Sequence, residues 1–127
     1  NTDSRKLKQI LFNLIKNALK FTHEGYIEFG FSKVMLKNKS MLKFYIKDTG
    51  IGISKDKQGI IFDIFRQGDE SHTRKYEGAG IGLSVSYKLT ELLGGEMWVE
   101  SVEGTGSIFY FTIPYVNNFG VKLNNYI

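Results

Sequence analysis

Without a single cysteine, the chain can form neither a disulfide nor a thiolate metal site. Its two histidines, His23 and His72, stand at no spacing that builds a zinc centre. Its one proline, Pro114, falls where the last strand-like pattern stops. No apolar run approaches the roughly 18–20 residues that span a bilayer, and no signal-peptide pattern opens the chain, so no membrane contact is expected of this domain. No Walker lysine follows a glycine-rich loop, the dinucleotide spacing Gly-x-Gly-x-x-Gly is absent, and so is the catalytic-loop signature of Ser/Thr/Tyr protein kinases. The chain opens on Asn1 and not on methionine, and is expected to be a piece of something longer.

What is present fits one globular domain. The 127 residues are long enough for a core, with 42% apolar and 24% charged residues. The formal net charge of +4 is local. Residues 1–22 carry Arg5, Lys6, Lys8, Lys16 and Lys20 against Asp3, and the remainder is balanced. A basic helix beside an anion accounts for that better than a nucleic-acid surface does, and nucleic acid is not an expected partner. Most of the aromatic residues sit at strand positions that look like core.

The periodicity predicts a helix from residue 3 to about 21, N-capped by Asp3, with Leu7, Ile10, Leu11, Leu14, Ala18 and Phe21 on one stripe. His23-Glu24-Gly25 ends it; the His–Glu pair reads as an exposed helix end, not an acid–base pair. Two strands follow, 26–36 and 41–48, around a polar turn at Lys37–Ser40. Residues 55–64 read as a short helix. Residues 67–78 have almost no apolar character and read as a long mobile loop, the kind that serves as a lid. A helix is expected over 81 to about 93, burying Ile81, Val85, Leu89 and Leu92, stopped by Gly94-Gly95. Closing strands are expected at 97–101 and 108–113, and 115–127 as a tail or linker beyond a domain of residues 1–114.

Three stretches carry chemistry. In Leu42–Asp48 the alternation places Asp48 on the same face as Leu42, Phe44 and Ile46, and Gly50 and Gly52 follow at once. A carboxylate delivered to an apolar face must find donors. Beside the pliant backbone of two glycines, it suits a flat ligand with an amino edge, such as adenine; the same hexapeptide also suits a carboxylate capping a turn. Asn13, Asn17 and Lys20 line one flank of the first helix. Asparagine is poor in a helix interior, so the strip reads either as the border of a cavity or as a solvated flank. Gly78-Ala79-Gly80-Ile81-Gly82 opens a helix, and freed backbone amides at a positive helix N-terminus make a phosphate site.

Taken in order, these residues resemble the ATP-binding catalytic domain of sensor histidine kinases, in the superfamily that also holds Hsp90, gyrase B and MutL. Asn13–Thr22 is similar to the family's N box, Asp48–Gly52 to its first glycine box, and Phe62-Asp63-Ile64-Phe65-Arg66 to its F box. Gly78–Leu83 is similar to the second glycine box and Gly104-Thr105-Gly106 to the third. The resemblance covers residues 3–114. It implies an α+β Bergerat fold: a two-layer α/β sandwich with a mixed sheet, covered on one face by helices, and a mobile ATP lid.

The resemblance further implies that Asp48 accepts a hydrogen bond from the adenine amino group and that Asn17 ligates Mg²⁺, with Asn13 beside it toward the phosphates. Lys20 would contact the phosphates and Arg66 would reach the γ-phosphate, so Asn17, Lys20 and Arg66 are the expected catalytic residues. Phe21, Gly50, Gly52, Ile53, Phe62 and Phe65 would border the nucleotide. So would Thr105 and the lid-hinge residues Gly78, Gly80, Ile81, Gly82 and Leu83. The phosphoacceptor histidine is expected on a separate dimerisation and histidine-phosphotransfer domain of the same kinase, with a response regulator as indirect partner and the cytoplasm as location. Two other readings stand beside this one: an ATPase of the Hsp90, gyrase or MutL type, and a degenerate domain that holds nucleotide without transferring phosphate.

Overall fold

The computed structural model describes residues 2–59, 61 and 80–115. Helix α1 (Thr2–Phe21) leads into a hairpin of β1 (Ile27–Leu36) and β2 (Lys39–Asp48). Helix α2 (Gly80–Leu92) comes next, and β3 (Met97–Val102) with β4 (Gly106–Pro114) closes the order. Residues 55–59 are also helical. The expected lid segment and, beyond Tyr115, the expected tail lie outside the described residues.

Helix α1 forms along the predicted stripe. Leu7, Ile10, Leu14 and Ala18 are all buried, and Asp3 and Lys20 complement the dipole at its two ends. The β1–β2 connection is tighter than the polar stretch implied. Leu36 pairs with Lys39, leaving Lys37 and Asn38 as a two-residue turn with φ of 51° and 64°.

The four strands lie in the order β1-β2-β4-β3. The expected mixed sheet is corrected here: all three ladders among the described residues are antiparallel. The connection through α2 does return β3 in the direction of β2, as a crossover should. The β3–β4 hairpin then folds β4 back between them, so no two parallel strands come to touch.

Both helices pack against one face of this sheet. Its centre is a cross-strand row in which Phe31, Phe44, Phe111 and Met97 stand in register. The rings of Phe44 and Phe111 stack at 4.7 Å, those of Phe31 and Phe44 at 5.5 Å. On the opposite face Trp98 stacks on Tyr110 at 5.3 Å, with the Lys43 ammonium 4.7 Å from the Tyr110 ring.

Helix α2 departs from its predicted face. Val85 and Leu92 are exposed, Leu89 is half-buried, and Leu83, Ser86 and Thr90 are buried in their stead. The Thr90 hydroxyl donates to the Ser86 carbonyl at 2.8 Å, which satisfies it inside the helix. The buried Ser86 hydroxyl has no such partner among the described residues, but like Thr90 it is small enough to let α2 lie close to α1.

Phe111 is fully buried at the middle of the aromatic row. Phe111→Ala should cost about 3–5 kcal/mol in urea denaturation, whereas a loss under about 1 kcal/mol would show that the row is not the centre of the core.

Candidate functional site

Asp48 ends β2 on the inner face, where the alternation of that strand puts it, and only 6% of it is exposed. Its carboxylate accepts the backbone N–H of Gly50 at 2.9 Å and that of Ser107, its cross-strand partner on β4. Burial pushes the Asp48 carboxyl above the ordinary carboxylate range, and the two backbone donors offset only part of that.

The glycines around Asp48 have a reason internal to the chain. A Cβ on Gly50 would strike the Phe21 carbonyl, and one on Gly106 the carbonyl of Asp48 itself. Gly52, at φ +70°, sits against the Val102 carbonyl. The close approach anticipated for another molecule is thus made at these positions by the protein's own backbone. It brings the end of α1, the loop after β2 and the β3–β4 turn together. The Gly104 N–H donates to the Ile51 carbonyl at 2.7 Å and the Ile53 N–H to the Ser101 hydroxyl at 2.7 Å.

These elements enclose a cavity of about 330 Å³, at the lower end of the roughly 300–1,000 Å³ of ligand pockets. Asp48, Ser107 and Asn17 are polar groups in its lining, and Phe21, Ile53, Leu83 and Phe109 are apolar ones. Lys57 and Glu103 add one charge of each sign. The side-chain oxygen of Asn17 is buried and has no hydrogen-bond partner among the described residues. An orphaned amide oxygen in the wall of a cavity is a free acceptor for a cation or a donor group.

With the cavity, its buried carboxylate and its unpartnered amide oxygen in place, comparison with known proteins gives the family. A model of histidine kinase-, DNA gyrase B- and HSP90-like ATPases matches residues 2–117. The chain belongs to that family. Several curated relatives are named as histidine kinases. It is 42% identical over 118 residues to hybrid signal transduction histidine kinase B of Dictyostelium discoideum, covering 90% of this chain and 6% of that protein. It is 46% identical over 116 residues to the autoinducer 2 sensor kinase/phosphatase LuxQ of Vibrio vulnificus, covering 90% and 14%. The chain therefore spans a small part of the relatives it matches. Among solved structures, full-length ShkA in complex with AMPPNP superposes with a TM-score of 0.66 at 32% identity, covering 87% of this chain and 22% of that one. The mycobacterial sensor histidine kinase MprB, at 22% identity and a TM-score of 0.63, shares the fold over 87% of this chain and 71% of that one.

Within this histidine-kinase-type ATPase domain, the expected site residues divide into groups. Asn17, Phe21, Asp48, Gly52, Ile53 and Leu83 meet at the cavity. Gly50 supports Asp48 from behind through its N–H. Asn13 does not line the cavity: its amide nitrogen donates to the Gly82 carbonyl at 3.3 Å and its oxygen accepts from Gln9 at 3.0 Å, which braces α1 against the start of α2. Lys20 is exposed on α1 outside the lining, and Thr105 is exposed in the β3–β4 turn with its N–H on the Val102 carbonyl. Gly80 opens α2; Phe62, Phe65, Arg66, Gly78 and the Ile81 side chain lie outside the described residues.

Sequence reasoning missed Ile51, Ser54, Lys57, Ile61, Glu103, Ser107 and Phe109 at the cavity. Two of these had a signal. Ser107 precedes inward-facing Phe109 by one strand period, and Lys57 lies one helical turn before Ile61.

Because the folded pKa of Asp48 lies above its ordinary value of 3.8, folding takes up a proton between the two. The stability contributed by Asp48 is therefore full below the unfolded pKa and lost as pH rises through the folded one. Nucleotide-free Asp48→Asn should be at least as stable as the parent at neutral pH, with the parent gaining on it as pH falls through that window. A variant weaker by more than about 1 kcal/mol at neutral pH in chemical denaturation would show that the two backbone hydrogen bonds outweigh burial.

Proposed function

We propose that this domain binds Mg²⁺-ATP and supplies the γ-phosphoryl group to a histidine on a separate dimerisation and histidine-phosphotransfer domain of the same protein. The observation that carries the reading is the pairing, in one cavity, of a buried carboxylate with an unpartnered buried amide oxygen. The carboxylate of Asp48 would accept the adenine amino group. The apolar side chains of Phe21, Ile53, Leu83 and Phe109 would exclude water from the base. The Asn17 oxygen would then face the phosphate end.

Magnesium fits that oxygen. It is hard and octahedral, and takes one or two protein oxygens together with phosphate oxygens and water. Among the described residues no three His, Asp or Glu side chains gather, so Asn17 would act with the nucleotide and water rather than within a protein cage. Metal bound there would offset the charge of the β- and γ-phosphates. Lys20, one turn from Asn17 and exposed, can extend along phosphates that leave the cavity. Asn13, by bracing Gly82, would fix the start of α2, whose backbone amides face the phosphates under this reading. Arg66, Phe62, Phe65, Gly78 and Ile81 enter the proposal on their motifs alone.

In the transfer step a ring nitrogen of the partner histidine attacks the γ-phosphorus. The bond from phosphorus to the β–γ bridging oxygen breaks, and ADP leaves with the electron pair. Most of what such a reaction needs is positioning and charge neutralisation, which a binding domain can supply. A response regulator would be served indirectly, through the phosphorylated histidine. The domain would work on the cytoplasmic side of a sensor protein. No helix among the described residues is long and apolar enough to cross a membrane.

Calorimetric titration tests the binding half. ATP affinity should depend on Mg²⁺, and Asp48→Asn should weaken it at least tenfold, the scale of one lost charged hydrogen bond. An unchanged affinity would sink the proposal. Asn17→Ala should bind ADP without metal as the parent does, yet lose the Mg²⁺-dependent gain. Transfer of radiolabelled γ-phosphate to histidine in a longer chain carrying the dimerisation helices separates the kinase from a steady ATPase and from a nucleotide-holding domain.

A further inference from the structure

The β3–β4 hairpin carries a small hydroxyl network behind the cavity that the proposed function does not use. Ser101 on β3 and Ser107 on β4 are cross-strand partners, with their hydroxyl oxygens 2.7 Å apart. The Ser101 oxygen also meets the Ile53 N–H at 2.7 Å and the Gly106 carbonyl at 2.9 Å. Ser107 lines the cavity and is buried beside Asp48, to which its own backbone N–H donates.

Donor counting fixes the direction of each bond. A hydroxyl has one proton and two lone pairs. The Ile53 N–H occupies one lone pair of Ser101. The Gly106 carbonyl can only accept, so the Ser101 proton goes there. The contact with Ser107 is then satisfied only if Ser107 donates to the second lone pair of Ser101. In that arrangement the single hydroxyl proton of Ser107 is consumed by Ser101, and Ser107, which lines the cavity, has only lone pairs left to offer there.

Gln58 holds the far end of this network. Its amide nitrogen donates to the Ile53 carbonyl at 2.7 Å and to the Ser101 carbonyl at 3.1 Å, which keeps Ile53 and Ser101 together. Asp48 and Ser107 therefore present two acceptors side by side and no hydroxyl donor. A ligand edge bearing an amino group satisfies such a pair. A 6-keto purine in the same pose turns its carbonyl oxygen toward both acceptors. It can offer its ring N1–H to Asp48 only by shifting within the cavity, which is a repulsive element against the wrong base.

We propose that Ser101 is a specificity-determining positioning residue, which holds the Ser107 hydroxyl as an acceptor and so selects 6-amino over 6-keto purines. The proposal rests on the nucleotide reading of this cavity. Ser101 itself touches no ligand; it acts through the direction of one hydroxyl proton. Without it, Ser107 is free to turn its proton into the cavity and donate to a keto oxygen.

The isosteric pair Ser101→Thr and Ser101→Val tests this on the whole chain. Threonine keeps the hydroxyl, whereas valine puts a methyl in its place and leaves no room for a substituting water. Both impose the same extra bulk, so any packing disturbance is shared. Dissociation constants for ADP and inosine diphosphate, measured by calorimetry, give the amino-over-keto selectivity as a ratio. The ratio should stay near the parent value in Ser101→Thr and fall about tenfold in Ser101→Val. Equal ratios in the two variants, even with both affinities weakened together, would overturn the role of Ser101 and leave the nucleotide reading standing. A parent chain that binds neither nucleotide would overturn both.

Discussion

Removing the Asp48 carboxylate from water is the demand to which the surrounding backbone answers. An ionised carboxyl at the inner end of a strand is unfavourable unless donors reach it, and here two come from the main chain, at Gly50 and Ser107. Bringing them in forces the loop after β2 against the end of α1 and β4 against the end of β2. The close backbone contacts at Gly50 and Gly106 follow from that. Burial still prevails over the two bonds and keeps the carboxyl above its ordinary range. A further hydrogen-bond donor reaching the carboxylate would offset more of that cost.

The rest of the fold supplies the walls around that carboxylate. One face of α1 contributes Leu7, Ile10, Leu14 and Ala18 to the core, while Asn17 and Phe21, one turn apart, reach the cavity from its last turns. The aromatic row across the sheet keeps β2 and β4 in register, which sets Ser107 opposite Asp48. Helix α2 delivers Leu83 to the wall and is tied to α1 through Asn13. Stability and recognition thus draw on the same elements: a slip of β4 by one residue would turn Phe111 outward and take Ser107 away from the carboxylate.

How much of this was legible in the sequence depends on whether the determinant is local. The strand alternation that buries Asp48 and the helical stripe of α1 were legible because both are periodicities of a single element. The meeting of Asn17 and Phe21 at one cavity was not: the periodicity puts Phe21 on the core stripe and Asn17 on the polar strip beside it, and only the family resemblance joins them. Nor was cross-strand register, because it is set by pairing and turn geometry; hence the missed Ser107 and the missed Ser101 network, while the expectation of a mixed sheet came with the family resemblance. Helix α2 misled because apolar residues were taken to mark its buried side. Close packing admitted Ser86 and Thr90 there, and left Val85 and Leu92 in solvent. Asn13 and Lys20 were grouped with Asn17 by spacing, yet only Asn17 reaches the cavity. Positions three and four residues apart share a flank without sharing neighbours on the facing element.

On the proposed reading, Asp48 is the base-reading end of a single extended nucleotide site whose metal end is Asn17. A crystal structure of the chain with Mg²⁺ and a non-hydrolysable ATP analogue tests it most directly. The account predicts the adenine amino nitrogen within hydrogen-bond distance of an Asp48 carboxylate oxygen, Ser107 accepting beside it, and the metal against the Asn17 oxygen. A base seated elsewhere, or a metal held without Asn17, would contradict it.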